Sequence, residues 1–226
     1  MAEFPQSAVP TSARHPSLPV LWRPGEHVCV VGDTGTGKTY LMAKLVAMRK
    51  YVVMLRTKPD DIIFPGFERA ETADAMERWN ADRILLQPKL ARQPRQVWLA
   101  LKQVWEHGGW TVVVDEMWYA EHRLGLREHM ENLLTQGRSK KITVMVGMQR
   151  PAQVSRFAIA ETTHLFVFRT EGRDTKTIGE ASSPRIIPVI NELEGHDFAY
   201  YNRSKRLVAR GNANNLGAIF KNMSPD

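Results

Sequence analysis

Cysteine is almost missing from this chain: Cys29 is the only one in 226 residues. No internal disulfide can form, and no Cys/His cluster has the spacing of a zinc site, so a reducing cytosolic setting is expected. No apolar run approaches the roughly 20 residues of a membrane span. The N-terminus lacks the charged-then-apolar order of a secretion signal. A cytoplasmic protein without a membrane span is therefore expected. Large apolar residues are sparse over residues 1–18, where Pro5, Pro10 and Pro16 alternate with Ser7, Ser12 and Ser17, the composition of a flexible arm. No internal repeat is visible. Acidic residues are missing from two stretches, between Asp82 and Glu106 and between Asp197 and Asp226. The first holds Arg83, Lys89, Arg92, Arg95 and Lys102, the second Arg203, Lys205, Arg206, Arg210 and Lys221.

What is present fits one globular α/β domain. Of all residues 43% are hydrophobic and 24% charged, enough for a sizeable core. The expected organisation is an arm over 1–18, a catalytic domain over 19–205 and a basic tail over 206–226. Residues 27–39 read His-Val-Cys-Val-Val-Gly-Asp-Thr-Gly-Thr-Gly-Lys-Thr, an apolar run followed by G-x-x-x-x-G-K-T. In such a loop Gly32, Gly35 and Gly37 let the backbone turn its N–H groups onto phosphate oxygens. Asp33, Thr34 and Thr36 complete it, Lys38 reaches the β- and γ-phosphates, and the Thr39 hydroxyl suits Mg²⁺. Leu41, Leu45 and Met48 recur at helical spacing behind Tyr40, so the loop opens a helix whose positive end faces the same anion.

Further apolar runs predict strands at Tyr51 to Leu55, Ile84 to Leu86, Thr111 to Val114, Ile142 to Val146 and His164 to Phe168. Phe198 to Tyr201 and Arg206 to Val208 read as a closing pair. Residues 59–82 read as polar and irregular. Val97, Leu101, Val104 and Trp105 predict a helix that stops at Gly108-Gly109. Trp98 and Trp105 lie seven apart on that helix and read as core rather than as base-stacking platforms. Strands alternating with helices around a phosphate-binding loop mean a mainly parallel sheet, covered on both faces, with its site at the carboxyl ends of the strands.

The run Thr-Val-Val-Val-Asp-Glu, 111–116, supplies the other half of such a site. Asp115 leaves the strand where it can hold Mg²⁺, and Glu116 can polarise a water for attack on a γ-phosphate. The competing reading is a pair of acids capping a helix N-terminus. A small-molecule kinase has no use for the second carboxylate, whereas an enzyme that activates water does. Thr-Lys-Pro-Asp, 57–60, matches a guanine-reading pattern but precedes the Asp-Glu strand instead of following it. It reads as a turn, and adenine is favoured over guanine.

Residues 135–151, Thr-Gln-Gly-Arg-Ser-Lys-Lys-Ile-Thr-Val-Met-Val-Gly-Met-Gln-Arg-Pro, resemble the FtsK/HerA superfamily of DNA-pumping ATPases. Members run a helix into a Gly-Arg or Ala-Arg turn, then an apolar strand, then a polar end closing on Gln-Arg-Pro. Met148 stands where Thr or Ser is common. Phe166-Val-Phe-Arg and Asp174 resemble the next strand and the start of its helix, and the likeness spans about residues 25–202. It implies a three-layer fold around a mainly parallel sheet, with ATP and Mg²⁺ as cofactors. It implies that Gln149 senses the γ-phosphate and that Arg138, in a helix-to-strand turn expected near the sheet's carboxyl-end edge, reaches a neighbouring subunit's nucleotide, with Lys140 and Arg150 as rivals for that task. The competing reading makes Gln149 an ordinary strand-end polar residue and Arg138 a solvated helix-end charge.

A bare motor core of this size looks like the genome-packaging ATPases of tailless viruses with an internal membrane. The function implied is ATP-driven translocation of double-stranded DNA by a homo-oligomeric ring, a hexamer or pentamer, with capsid or portal-vertex proteins as candidate partners. A non-translocating ATP-dependent switch or assembly factor is the alternative, and a small-molecule kinase is a third. Lys89, Arg92, Arg95, Arg123 and Arg127 are the candidate DNA contacts, since phosphate binding needs many cations and no fixed motif. Solvated surface charge explains the same residues equally well.

Overall fold

The apolar runs fold as strands because each is buried on both faces, as a parallel sheet under helices requires. The computed structural model describes residues 22–57, 66–74 and 82–215. The strands are β1 (Val28–Val31), β2 (Val52–Leu55), β3 (Glu68–Ala70), β4 (Arg83–Leu86), β5 (Thr111–Val114), β6 (Thr143–Met148), β7 (His164–Phe168), β8 (Asp197–Asn202) and β9 (Leu207–Asn212). They form one nine-stranded sheet in the order β3-β4-β2-β5-β6-β1-β7-β8-β9. β1 to β7 pair in parallel, while β8 and β9 close the sheet as an antiparallel pair.

The helices are α1 (Lys38–Val46), α2 (Gln93–His107), α3 (Met117–His122), α4 (Arg127–Gln136), α5 (Phe157–Ala160), α6 (Gly172–Ala181) and α7 (Ile186–Asn191). Leu41, Met42, Leu45 and Val46 of α1 pack with Val28, Val30, Met54, Val113 and Phe166 on one face of the sheet. The buried residues of α2 to α7 pack with Cys29, Val31, Val112, Val114 and Val146 on the other. From β1 the chain thus leaves over one face, and from its neighbour β6 over the opposite face. Where adjacent strands send the chain opposite ways, a crevice opens at their carboxyl ends.

Three expectations change. Glu68–Ala70, within the stretch read as irregular, is a strand on the sheet's edge, paired with β4. The closing strand read at Arg206 to Val208 runs longer, since Leu207–Asn212 pairs with β8 through its whole length, so no tail begins at residue 206. Trp98 is not core: it is 38% exposed, and its indole N–H donates to His129 Nε2 at 2.9 Å. The arm over 1–18, most of the Thr-Lys-Pro-Asp turn and Lys221 lie outside the described residues.

Candidate functional site

Register brings the sequence motifs to one edge. Val31 pairs with Met148, and Val114 with Val146, so Gly32, Asp115 and Gln149 all leave the sheet at its carboxyl edge. The glycine-rich loop is anchored there by Gly32 N–H, which donates to the Met148 carbonyl at 3.1 Å. A side chain at Gly32 would meet Phe168 Cβ at 2.7 Å and Thr36 Oγ1 at 2.8 Å, so the loop can pass only with glycine. Gly35 and Gly37 have φ of +83° and +103°, values that L side chains rarely adopt. Asp33, Thr34 and Gly35 are exposed, Thr36, Gly37 and Thr39 half-buried, and Tyr40 exposed. Lys38 is buried, and its ammonium donates to the Asp33 carbonyl at 2.7 Å. Thr36 Oγ1 donates to the same carbonyl at 2.8 Å. The loop is thus already folded around an ammonium at the start of α1, where backbone N–H groups and the helix dipole attract anions.

Asp115 follows β5 and lies across β6 from β1, about 10 Å of sheet away by strand spacing. That gap suits a phosphate tail and a hydrated cation. Thr39 offers a hydroxyl and Asp115 a carboxylate, a hard-oxygen donor pair that fits Mg²⁺. Glu116 is the residue before α3, and its side chain makes no capping hydrogen bond to that helix, which removes the main support for a capping role. Gln149 is half-buried at the end of β6. β5 and β6 come close here: a side chain at Gly147 would lie 2.5 Å from the Asp115 carbonyl oxygen. Arg150 is mostly exposed and pairs with Asp174 at 3.3 Å, while the Ala152 N–H donates to the other Asp174 oxygen at 3.0 Å. Asp174 therefore fixes the turn that carries Gln149 and Arg150.

One site residue escaped the sequence reading. Arg56 follows β2, the neighbour of β5, and donates to Asp115 Oδ2 at 2.6 Å, with the two side chains only 3% and 8% exposed. Removing one partner of a buried ion pair costs on the order of 3–5 kcal/mol, because a charge stays behind in a dry place. Arg56→Met should thus lower the melting temperature of the nucleotide-free protein by roughly 10 °C. The double variant Arg56→Met/Asp115→Asn should regain most of that loss. Thermal unfolding of the two variants checks this, and equal drops in both would mean that the pair does not hold Asp115 in place.

Helix α3 and the loop after Gln149 are tied together beyond the site. Both carboxylate oxygens of buried Glu121 accept from the Ser155 N–H, at 3.2 and 3.0 Å, and Ser155 Oγ donates to Glu131 at 2.7 Å. Burial holds the Glu121 carboxyl above its usual range, and the Ser155 N–H and nearby cations work against it.

Arg138 is where its position before a parallel strand requires, and this corrects its expected place near the carboxyl edge. It is exposed in the turn Gly137–Lys140 ahead of β6, at the amino edge of the sheet. A side chain at Gly25, just ahead of β1, would lie 3.2 Å from the Arg138 carbonyl oxygen. Beside it, burial above all and then the Arg138 charge push His27 down to about 4, and its Nδ1 accepts the Val144 N–H at 3.0 Å. The length of β6, about 20 Å, separates Arg138 from the chain's own phosphate loop. It cannot act there in cis. Lys140 shares that edge, with its ammonium over the Trp105 ring at 5.1 Å.

The candidate DNA contacts divide. Arg92 and Arg95 are exposed and line a cleft of about 530 Å³ with Thr72, Asp74, Gln96 and Leu99, and Lys89 beside them pairs loosely with Glu71 at 3.6 Å. Arg123 lies over the Trp118 ring at 5.8 Å, and Arg127 is held by Glu131 at 3.0 Å though still 58% exposed. Other cations from the acid-free stretches serve the fold. Arg203 donates to the carbonyls of Ile159, Thr162 and Ala181, Arg83 to that of Val46, and Arg210 pairs with Asp197.

Comparisons with known proteins give the family and the fold. The chain is 31% identical over 159 residues to the DNA packaging ATPase P9 of Enterobacteria phage PRD1, covering 68% of each sequence. Its fold matches the genome packaging NTPase B204 of Sulfolobus turreted icosahedral virus 2, solved in complex with ATP-gammaS, with a TM-score of 0.68 at 14% identity, over 84% of this chain and 98% of that one. The cytoplasmic domain of the type VII secretion ATPase EccC of Thermomonospora curvata matches with a TM-score of 0.57 at 14% identity, over 84% of this chain and 25% of that one. No protein-family model matches.

Proposed function

Since the chain belongs to the family of the DNA packaging ATPase P9 of phage PRD1, we propose that it hydrolyses ATP to drive double-stranded DNA into a viral capsid. The observation that carries this reading is the meeting of Lys38, Thr39, Asp115, Glu116 and Gln149 at one edge of one sheet. Lys38 and the loop N–H groups take the phosphates. Thr39 and Asp115 would hold Mg²⁺, which when bound neutralises charge on the β- and γ-phosphates. Glu116 takes a proton from the attacking water, and Gln149 orients that water or the γ-phosphate. The ATPase works as a homo-oligomeric ring, a hexamer or pentamer, in the host cytoplasm and transiently at a capsid vertex, where capsid or portal-vertex proteins are its partners. Among the described residues no helix is long and apolar enough to cross a membrane.

Lys89, Arg92, Arg95, Arg123 and Arg127 touch DNA phosphates. These cations are scattered, without a recognition helix or zinc module, so the contact ignores base sequence. ATP hydrolysis should therefore rise with duplex length and be indifferent to sequence. If the contacts number six or more phosphates, affinity should fall by on the order of a thousandfold between 50 and 200 mM salt. Steady-state hydrolysis and anisotropy titrations check both. Hydrolysis indifferent to DNA would leave the switch or assembly-factor reading, and a footprint confined to one short sequence would contradict a packaging motor.

A further inference from the structure

We infer that Gln93 is a positioning residue that links polyanion contact at Arg92 and Arg95 to the carboxylates Asp115 and Glu116. The inference rests on the packaging reading and adds to it the route by which DNA acts on hydrolysis. Gln93 is the first residue of α2 and only 5% exposed, although both its neighbours in the basic cleft are on the surface. Its amide nitrogen donates to the Thr57 carbonyl at 3.2 Å and to the Pro88 carbonyl at 3.3 Å. Its amide oxygen accepts the Tyr119 hydroxyl at 3.0 Å. Two carbonyls can only accept, so the nitrogen must face them, and the oxygen is left for the phenol. A carboxylate could not donate to the carbonyls, and an ammonium could not accept from the tyrosine.

Two of the three partners of Gln93 adjoin the groups of the site. Thr57 is joined to Arg56, whose guanidinium holds Asp115 at 2.6 Å. Tyr119 stands one helical turn past Glu116 on α3. On the other side, Arg92 precedes Gln93 directly, and Arg95 follows two residues later. The neighbouring Gln96 ties α2 to the far wall of the cleft through its Oε1, which accepts the Ala73 N–H at 2.8 Å. A phosphate backbone drawing Arg92 and Arg95 together moves the first turn of α2. With its polar atoms bonded in a dry place, Gln93 cannot stay behind without losing hydrogen bonds. The shift passes to the ends of β2 and β5 and to the start of α3. Asp74 also lines the cleft and opposes the polyanion.

Coupling between two binding events is reciprocal. If DNA favours the arrangement that binds nucleotide, a non-hydrolysable ATP analogue must tighten DNA binding by the same factor, about 5- to 150-fold in typical cases. The test measures DNA affinity by anisotropy with and without the analogue, and hydrolysis with and without DNA. The proteins compared are wild type, Gln93→Leu, Tyr119→Phe and Arg92→Ala/Arg95→Ala. Gln93→Leu and Tyr119→Phe should keep DNA affinity in the absence of nucleotide and keep basal hydrolysis. Both should lose the tightening and the DNA stimulation. Arg92→Ala/Arg95→Ala should weaken DNA binding itself, with or without the analogue. Tyr119→Phe removes one oxygen, so it guards against a Gln93→Leu protein that fails to fold. Wild-type coupling that survives in both Gln93→Leu and Tyr119→Phe overturns the role of Gln93 alone. A wild type indifferent to DNA overturns the packaging reading and this link together.

Discussion

Lys38→Ala should lower ATP turnover by at least about a hundredfold and weaken nucleotide binding, whereas Glu116→Gln should slow turnover by about 10²–10⁴ and leave binding intact. The two losses differ in kind. The Lys38 ammonium is already buried in the loop and faces the Asp33 carbonyl, in the place where a phosphate oxygen would compete for it. Without it, the loop meets a polyanionic ligand with backbone N–H groups alone, and preorganised charge of this kind is worth about 10²–10³ in rate. Glu116 contributes a proton acceptor for water. General-base catalysis is worth about 10²–10⁴, and glutamine keeps the shape while losing that capacity. Titration with a fluorescent ATP analogue, together with phosphate-release kinetics, separates the two outcomes. Binding and turnover that fall together in Glu116→Gln would make Glu116 a structural residue. Wild-type hydrolysis in Lys38→Ala would remove the phosphate role of the loop.

The loop was readable from the sequence because backbone chemistry dictates its letters. Gly35 and Gly37 occupy positive φ, Gly32 passes against Phe168, and few other residues tolerate either. The buried strands were readable because a parallel sheet leaves no polar face to interrupt the apolar run. Arg56 was not readable. Its importance comes from β2 lying beside β5, and strand order is not encoded within either segment. The same holds for Gln93, an unremarkable polar residue at the start of an amphipathic helix until the ends of β2 and α3 close around it. Edge strands were the weak point of the fold. β3 is three residues, Glu-Arg-Ala, mostly exposed, and β9 runs on from the strand read at Arg206 to Val208 into Arg210 and Asn212, which read as tail. An edge strand packs on fewer neighbours, so its pattern carries less information. Arg138 shows a different failure. Chain direction alone puts a residue ahead of a parallel strand at the amino edge, and the sheet makes that distance from the phosphate loop concrete.

That distance sharpens what Arg138→Ala should do in a ring. No arginine at the amino edge can touch its own subunit's nucleotide, so any catalytic use of Arg138 requires a second copy of the chain. It is exposed in the turn just after α4, where it can meet a neighbour's carboxyl edge. An arginine supplied in trans to a γ-phosphate is worth about 10³–10⁵ in rate. Arg138→Ala should therefore bind ATP normally and hydrolyse it about a thousandfold more slowly, or worse. Mixing then separates a shared site from a private one. An Arg138→Ala subunit keeps its own Glu116 and can borrow the arginine of a Glu116→Gln neighbour, so two inactive proteins should give measurable turnover together. Turnover should peak at intermediate mixing ratios, where such neighbours are most frequent. No turnover at any ratio, with Arg138→Ala itself inactive, would mean that Arg138 acts within its own subunit's fold. Full activity of Arg138→Ala alone would pass the task to Arg150, at the carboxyl edge and held by Asp174, or to Lys140 over Trp105.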